Sequence, residues 1–213
     1  MYALIRLALV VIASILLVTK LKKSKFKSKK RATIIGLCST LILWSTLEFI
    51  PFENLFVTFD SPEASYRYMY FSASNDPLIV SGDSCDLLID CDNRRAAFNN
   101  VLIPKTENGW KISRVGIPKC NVYRYDNGVT LNLYRYKNTD DYFLTITRSD
   151  GTEIELSADN AEFDSVWYDM PTFANGMFLY YAHVNELGYI TIDGEYVKLG
   201  DVDRLAFDRG ALD

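Results

Sequence analysis

Between residues 20 and 31 the chain packs eight cations into twelve positions, Lys20-Leu-Lys-Lys-Ser-Lys-Phe-Lys-Ser-Lys-Lys-Arg31, and on either side charge nearly vanishes. The stretch 2–19 is apolar apart from Arg6 and Ser14, and the stretch 32–50 carries a single charge, Glu48. Eight adjacent cations repel one another and hold water, which disfavours burying the two stretches as a soluble helical hairpin. A bilayer core takes about 20 residues of helix to cross. The pattern therefore predicts an N-terminal transmembrane helical hairpin, with spans at about 2–19 and 32–50 joined by a basic loop, 20–31. The first span is slightly short, so Arg6 is expected to extend its guanidinium to the headgroups. Pro51 cannot continue a helix interior and ends the second span, with Trp44 and Glu48 within two turns of the interface. A cleaved signal peptide fits less well, because Val18-Thr19-Lys20 runs into lysines where a small-residue cleavage site belongs.

Short loops rich in Lys and Arg stay on the cytoplasmic side. This places both termini outside and makes the chain a multi-pass plasma-membrane protein, with residues 52–213 as an extracytoplasmic domain. Lys22, Lys23, Lys25, Lys27, Lys29, Lys30 and Arg31 are then the candidate headgroup contacts, each contributing about 1 kcal/mol at most beside anionic lipid. Ala32, Gly36 and Thr40 are spaced four apart on the second span and read first as ordinary small residues of a membrane helix. The charge split agrees with two environments. Residues 1–50 hold nine cations against one anion, and the remaining 163 residues hold 14 cations against 26 anions. An acidic domain is a poor partner for nucleic acid, whose phosphates need cations.

The outer segment reads as α+β, mainly antiparallel β. A short strand is expected at 55–59. Ser61-Pro62-Glu63 then opens a helix: Ser61 caps, Pro62 suits the first turn and Glu63 meets the positive end of the dipole. Tyr66, Met69, Tyr70 and Ala73 share its apolar face. Strands are expected at Leu78–Ser81 and Cys85–Asp90. Hairpins follow at Glu107-Asn108-Gly109, Asp126-Asn127-Gly128, Ser149-Asp150-Gly151, Glu186-Leu187-Gly188 and Asp193-Gly194, because glycine after Asn or Asp accepts the positive φ of tight turns. Val129, Leu131 and Leu133 alternate with Thr130 and Asn132, the pattern of a sheet with one wet face. About ten strands suffice for a meander that curls into a sandwich or open barrel. The matches Tyr123-Arg-Tyr125 and Tyr134-Arg-Tyr136 are expected close together across a hairpin, with tyrosines on one face and arginines on the other. Cross-strand pairing explains them more simply than a ligand surface.

No catalytic, cofactor or metal site emerges. There is no nucleophile elbow, phosphate loop or dinucleotide fingerprint. His183, the single histidine, lies in an apolar run and reads as a strand histidine with its bonds satisfied. Asp83, Asp86, Asp90 and Asp92 lack the calcium-loop spacing and read as a solvated acidic face. Cys85, Cys91 and Cys120 allow at most one disulfide among them. Cys85 and Cys91 would lie about 20 Å apart on a straight strand at roughly 3.3 Å per residue, so joining them requires a turn within residues 86–90.

The segments Glu53-Asn-Leu-Phe56, Ser61-Pro-Glu-Ala64, Asn108-Gly-Trp-Lys-Ile112 and Ile192-Asp-Gly194 give the chain its one resemblance. It resembles uncharacterised membrane-anchored proteins of Gram-positive, Firmicutes-type bacteria, over roughly residues 50–200. The resemblance implies a plasma-membrane anchor before a β-rich outer domain and few extracellular disulfides, which weighs against a Cys85–Cys91 bond. It implies no activity. The expected function is an envelope protein whose outer domain binds a protein, peptide or cell-wall ligand. The alternatives are a membrane sensor or regulatory subunit acting through the helical hairpin, and an extracytoplasmic hydrolase.

Overall fold

The computed structural model describes residues 2–23, 29–49, 51–70, 76–92, 97–113, 119–136, 139–169 and 176–202. Two helices open the chain, α1 (Tyr2–Lys23) and α2 (Lys29–Phe49), longer at the basic end than the sequence pattern suggests. Lys22 and Lys23 close α1, and Lys29, Lys30 and Arg31 open α2, while Lys25 and Lys27 lie outside the described residues. The helices pack side by side along a narrow seam. Val10 and Gly36 are buried, and the Ser14 and Thr40 hydroxyls meet at 3.1 Å. Both hydroxyls also return to their own helices, Ser14 to the Val10 carbonyl and Thr40 to the Gly36 carbonyl, so neither hydroxyl is stranded in the seam. Gly36 and Thr40 thus serve the helix contact and are not mere composition; the side chain of Ala32 lies outside the described residues.

Away from the seam the pair is apolar on its outer surface, with Leu4, Leu16, Leu37, Leu41 and Ile42 all exposed. Among the described residues, one helical stretch, Leu4–Leu21, is long and apolar enough to cross a bilayer. Among the described residues of α2, the apolar stretch is Ile34–Thr46.

Where a strand was expected at 55–59, a single 3-10 turn covers Phe52–Leu55 and only Phe59 pairs, in one bridge to Trp110. The third helix, α3 (Pro62–Met69), starts as the sequence dictates: Ser61 Oγ accepts the Ala64 N–H at 3.2 Å and Pro62 fills the first turn. Ala73 lies outside the described residues.

Among the described residues twelve strands follow, in three antiparallel sheets. The first sheet has the order β1-β2-β3-β4, from Leu78–Ser81, Cys85–Asp92, Ala97–Thr106 and Gly109–Trp110. The second has the order β5-β6-β7-β10-β9, from Lys119–Arg124, Val129–Arg135, Tyr142–Arg148, Met177–Val184 and Asp164–Tyr168. The third joins β12 (Glu195–Lys198), β11 (Tyr189–Ile192) and β8 (Leu156–Ala158).

Three cores stack these layers. Tyr66 of α3 packs on Leu88, Val101 and Ile103 of the first sheet. The opposite face of that sheet, with Cys85, Leu87 and Ile89, meets Tyr134, Phe143 and Leu179 of the second. Leu131, Leu133, Leu144, Ile146 and Val184 on the far face of the second sheet meet Ile190, Ile192 and Val197 of the third. The face carrying Thr130 and Asn132 is therefore not wholly wet, since the first sheet covers part of it.

The glycine turns after Glu107, Asp126 and Asp193 do close hairpins, β3–β4, β5–β6 and β11–β12. At the first, Gly109 has φ 121° and a Cβ there would lie 2.4 Å from the Phe59 carbonyl, so glycine is what allows the Phe59–Trp110 bridge. The turns at Gly151 and Gly188 do not close hairpins: β10 pairs with β7 along one edge and with β9 along the other, so β8 does not pair with β7 nor β11 with β10. The chain after each turn instead crosses to the third sheet. The two Tyr-Arg-Tyr segments share the β5–β6 hairpin, but at opposite ends: Tyr123 faces Leu131, and Tyr134 faces Cys120. Tyr123 packs against one core and Tyr134 enters another, so they form no common surface.

Leu88→Ala is expected to cost about 2–5 kcal/mol, as a fully buried leucine truncated between two layers, against about 1 kcal/mol for loss of the cap in Ser61→Ala. Denaturant unfolding of the detergent-solubilised chain measures both.

Candidate functional site

The turn between β1 and β2, Gly82-Asp83-Ser84, rests on the carboxylate of Asp141, which immediately precedes β7. Asp141 is 2 % exposed, and a buried carboxylate is tolerated only when its oxygens are occupied. Four donors supply that. The Asp83 N–H reaches Oδ1 at 2.9 Å, the Ser84 N–H reaches Oδ2 at 2.6 Å, the Ser84 hydroxyl donates to Oδ2, and His183 Nε2 lies 2.7 Å from Oδ1. Burial alone raises the carboxyl pKa, but the Ser84 hydroxyl, the two backbone N–H groups and His183 outweigh it and hold the group down at about 2. The carboxylate is therefore ionised, and Nε2 carries the proton between them. The imidazole packs on Phe143 with ring centroids 5.0 Å apart. Asn185 Nδ2 adds a bond to Asp83 at 3.0 Å. A Cβ on Gly82 would lie 2.6 Å from Phe143 and 2.7 Å from the Cys85 carbonyl, so the turn fits only without a side chain there.

Serine, histidine and aspartate thus meet, in an order that defeats nucleophilic catalysis. In a hydrolase triad the imidazole stands between hydroxyl and carboxylate and takes the hydroxyl proton. Here the carboxylate stands in the middle, and Ser84 donates to it. Four donors fill the lone pairs of two carboxylate oxygens, which leaves Asp141 no vacancy for a substrate proton. The arrangement joins the first sheet to the second.

A second joint lies beside it. Asp86, 1 % exposed, pairs with Lys105 Nζ at 2.6 Å and accepts the Trp110 indole N–H at 2.6 Å. Lys105 also donates to the Gly82 carbonyl at 2.7 Å. Four positions further along β2, buried Asp90 accepts the Tyr66 hydroxyl at 2.9 Å, and that hydroxyl accepts from Asn99 at 2.6 Å. Burial raises the Tyr66 pKa well above its ordinary value, and Asp90 adds to the rise. The expected solvated acidic face is corrected accordingly. Asp86 and Asp90 point into the layer under α3, Asp83 is exposed at the turn, and the side chain of Asp92 lies outside the described residues. Among the described residues no group of three or more His, Cys, Asp or Glu converges as a metal site.

Cys85 and Cys91 sit at the two ends of the unbroken strand β2, so the turn their bond requires is not there. No disulfide joins the described cysteines. Burial pushes the Cys120 thiol up to about 11, the opposite of an activated nucleophile.

Arg6 does not extend to headgroups. It is 1 % exposed, pairs with Glu53 at 2.8 Å and lies 5.2 Å from the Phe52 ring centroid. A charge inside an apolar run and an opposite charge just beyond the second run were the signal in the sequence. Asp141 gave none, as one acid among 27. At the far side of the domain Arg148 pairs with Asp193, whose φ of 50° completes the β11–β12 turn, and Asp193 also accepts the Glu155 N–H at 3.1 Å.

A shallow open groove of about 490 Å³ beside α3 is lined by Ser61, Glu63, Ala64, Arg67, Asp76 and Pro77. No family model, curated protein or solved structure matches the chain.

Because the folded carboxyl of Asp141 lies below the ordinary 3.8, its stabilising contribution is full above 3.8 and is lost as pH falls toward about 2. Asp141→Asn is expected to lower the unfolding midpoint at neutral pH and to flatten its fall across that acid window; an unchanged acid limb counts against the joint. Lys105→Met strands Asp86 and is expected to cost on the order of 3 kcal/mol, much of which Asp86→Asn in the same chain returns, as paired denaturant titrations record.

Proposed function

We propose that the chain is a non-enzymatic envelope protein of the Gram-positive membrane-anchored type. In this reading α1 and α2 both lie in the plasma membrane, their basic connection faces the cytoplasm, and the stacked β domain stands outside. The observation that carries it is the apolar outer surface of the helix pair, where Leu4, Leu16, Leu37, Leu41 and Ile42 are each more than half exposed. Water tolerates no such continuous greasy face, and lipid solvates it at no cost. An apolar stretch shorter than the hydrocarbon core is matched by local thinning of the bilayer around it. The domain binds a protein, peptide or cell-wall ligand, through exposed aromatic positions such as Trp167, Tyr189 and Tyr196.

One observation favours a second reading, a sensor or regulatory subunit. The Arg6–Glu53 pair ties the first turns of α1 to the base of the outer domain, so movement of one is felt by the other. Exchange of α1 and α2 for an unrelated hairpin separates the two. A tethered binder keeps its co-purifying partner, and a sensor loses it.

Topology is tested with single cysteines at position 25 or 196, in a chain whose four native cysteines, Cys38, Cys85, Cys91 and Cys120, are replaced by alanine. A membrane-impermeant maleimide is expected to label position 196 in intact cells and position 25 only after permeabilisation. The reverse pattern inverts the chain and removes the proposed outer role.

A further inference from the structure

We infer that Leu55 and Phe56 form an interfacial foot, inserted among the lipids of the outer leaflet, which seats the β domain on the membrane surface. The inference rests on the anchor reading above and adds a lipid contact made by the domain itself. Leu55 is 84 % and Phe56 71 % exposed, among the described residues the most exposed large apolar side chains outside α1 and α2 apart from Tyr196.

Their level relative to the anchor is fixed by contacts. Arg6 is the third residue of the Leu4–Leu21 stretch, only about 3 Å along the axis from its start at 1.5 Å per residue. Its guanidinium holds Glu53 and covers the Phe52 ring. The Phe56 ring is 6.1 Å from the Phe52 ring. A short chain of contacts therefore runs from the outer end of the apolar stretch to Phe56. Leu55 ends the same 3-10 turn, within about 4 Å of Glu53 at 2 Å per residue. Leu4 on α1 and Trp44 near the end of α2 continue the exposed apolar surface below.

The turn is held rigidly in that posture. Asn54 clamps Ile112 in both directions, at 2.8 Å to its carbonyl and 2.7 Å from its N–H. The Phe56 and Val57 N–H groups both return to the Glu53 carbonyl, and Lys111 Nζ donates to the Val57 carbonyl at 2.8 Å. With the Asn54, Phe56 and Val57 N–H groups bonded within the turn, its apolar side chains enter the headgroup–acyl boundary with those donors already paired, which favours a segment that lies in the interface. Apolar and aromatic residues at that depth are what the interface favours.

The test uses the full chain in phosphatidylglycerol–phosphatidylethanolamine vesicles, with p-benzoylphenylalanine at one position at a time: 55, 56, 16 or 196. Ultraviolet crosslinking is followed by mass measurement of lipid adducts. Positions 55 and 56 are expected to give adducts at a yield comparable to position 16 and several-fold above position 196. Adducts at 16 without adducts at 55 and 56 overturn the foot and leave the anchor standing. Equal yields at 55, 56 and 196 reduce the result to exposure and also overturn it. No adduct at 16 removes the anchor reading itself, and the foot with it. Two separate positions guard against a single probe disturbing the turn.

Discussion

A carboxylate taken out of water needs every lone pair answered, and the layered domain is organised around that demand. Asp141, Asp86 and Asp90 are all buried, and each collects its donors from a different element. Asp141 draws the β1–β2 turn onto the second sheet, Asp86 binds β3 and β4 to β2, and Asp90 binds α3. Because the Gly82 N–H meets Asp86 and the next two N–H groups meet Asp141, the first two joints share one turn. Removal of a single partner leaves an uncompensated charge, so each joint costs more to break than it contributes by forming. That asymmetry fixes which packings of the three sheets are tolerated, while the apolar cores supply most of the driving force.

The Arg6–Glu53 pair brings two buried opposite charges together at the opposite pole. An arginine among apolar residues is costly unless it reaches water or a counter-charge. The protein supplies the counter-charge from the segment just beyond α2, and the Phe52 ring adds a cation–π contact. A lone arginine on α1 thereby becomes a link between the helix pair and the domain. The link constrains both: α1 cannot rotate about its axis, and the 3-10 turn cannot swing away, without parting two buried charges.

The features legible in the sequence are the ones whose cause is local. Ser61-Pro62-Glu63 starts a helix because capping involves residues three apart, and the turn glycines at 109, 128 and 194 are required by backbone sterics within four residues. Choice of strand partner is not local. Nothing around Gly151 or Gly188 reveals that β10 will occupy the edge of β7, and the edge strand β9, Asp164–Tyr168, lacks the alternation that marks a strand. The acids show the limit most clearly. Asp83, Asp86 and Asp90 look alike in sequence, yet one is exposed and two are buried, because burial depends on where Trp110, Lys105 and Tyr66 arrive from distant positions. His183 was recognisable as a satisfied strand histidine, but its partner Asp141, 42 positions away, was not.

Taken in series, these joints run the length of the molecule. Arg6 holds Glu53, Asn54 holds Ile112, and Ser65 holds the neighbouring Lys111 carbonyl at 3.0 Å. Trp110 and Lys105 hold Asp86, Ser84 holds Asp141, and Arg148 holds Asp193 at the third sheet. Hydrophobic contact is non-directional and permits layers to slide, whereas hydrogen-bonded charge pairs demand particular angles and distances. A domain assembled from greasy layers alone would present its outer sheet over a range of tilts. With a directional joint at each boundary, the orientation of the third sheet follows from that of α1. The face carrying Tyr189 and Tyr196 is thereby held at one angle to α1 and α2.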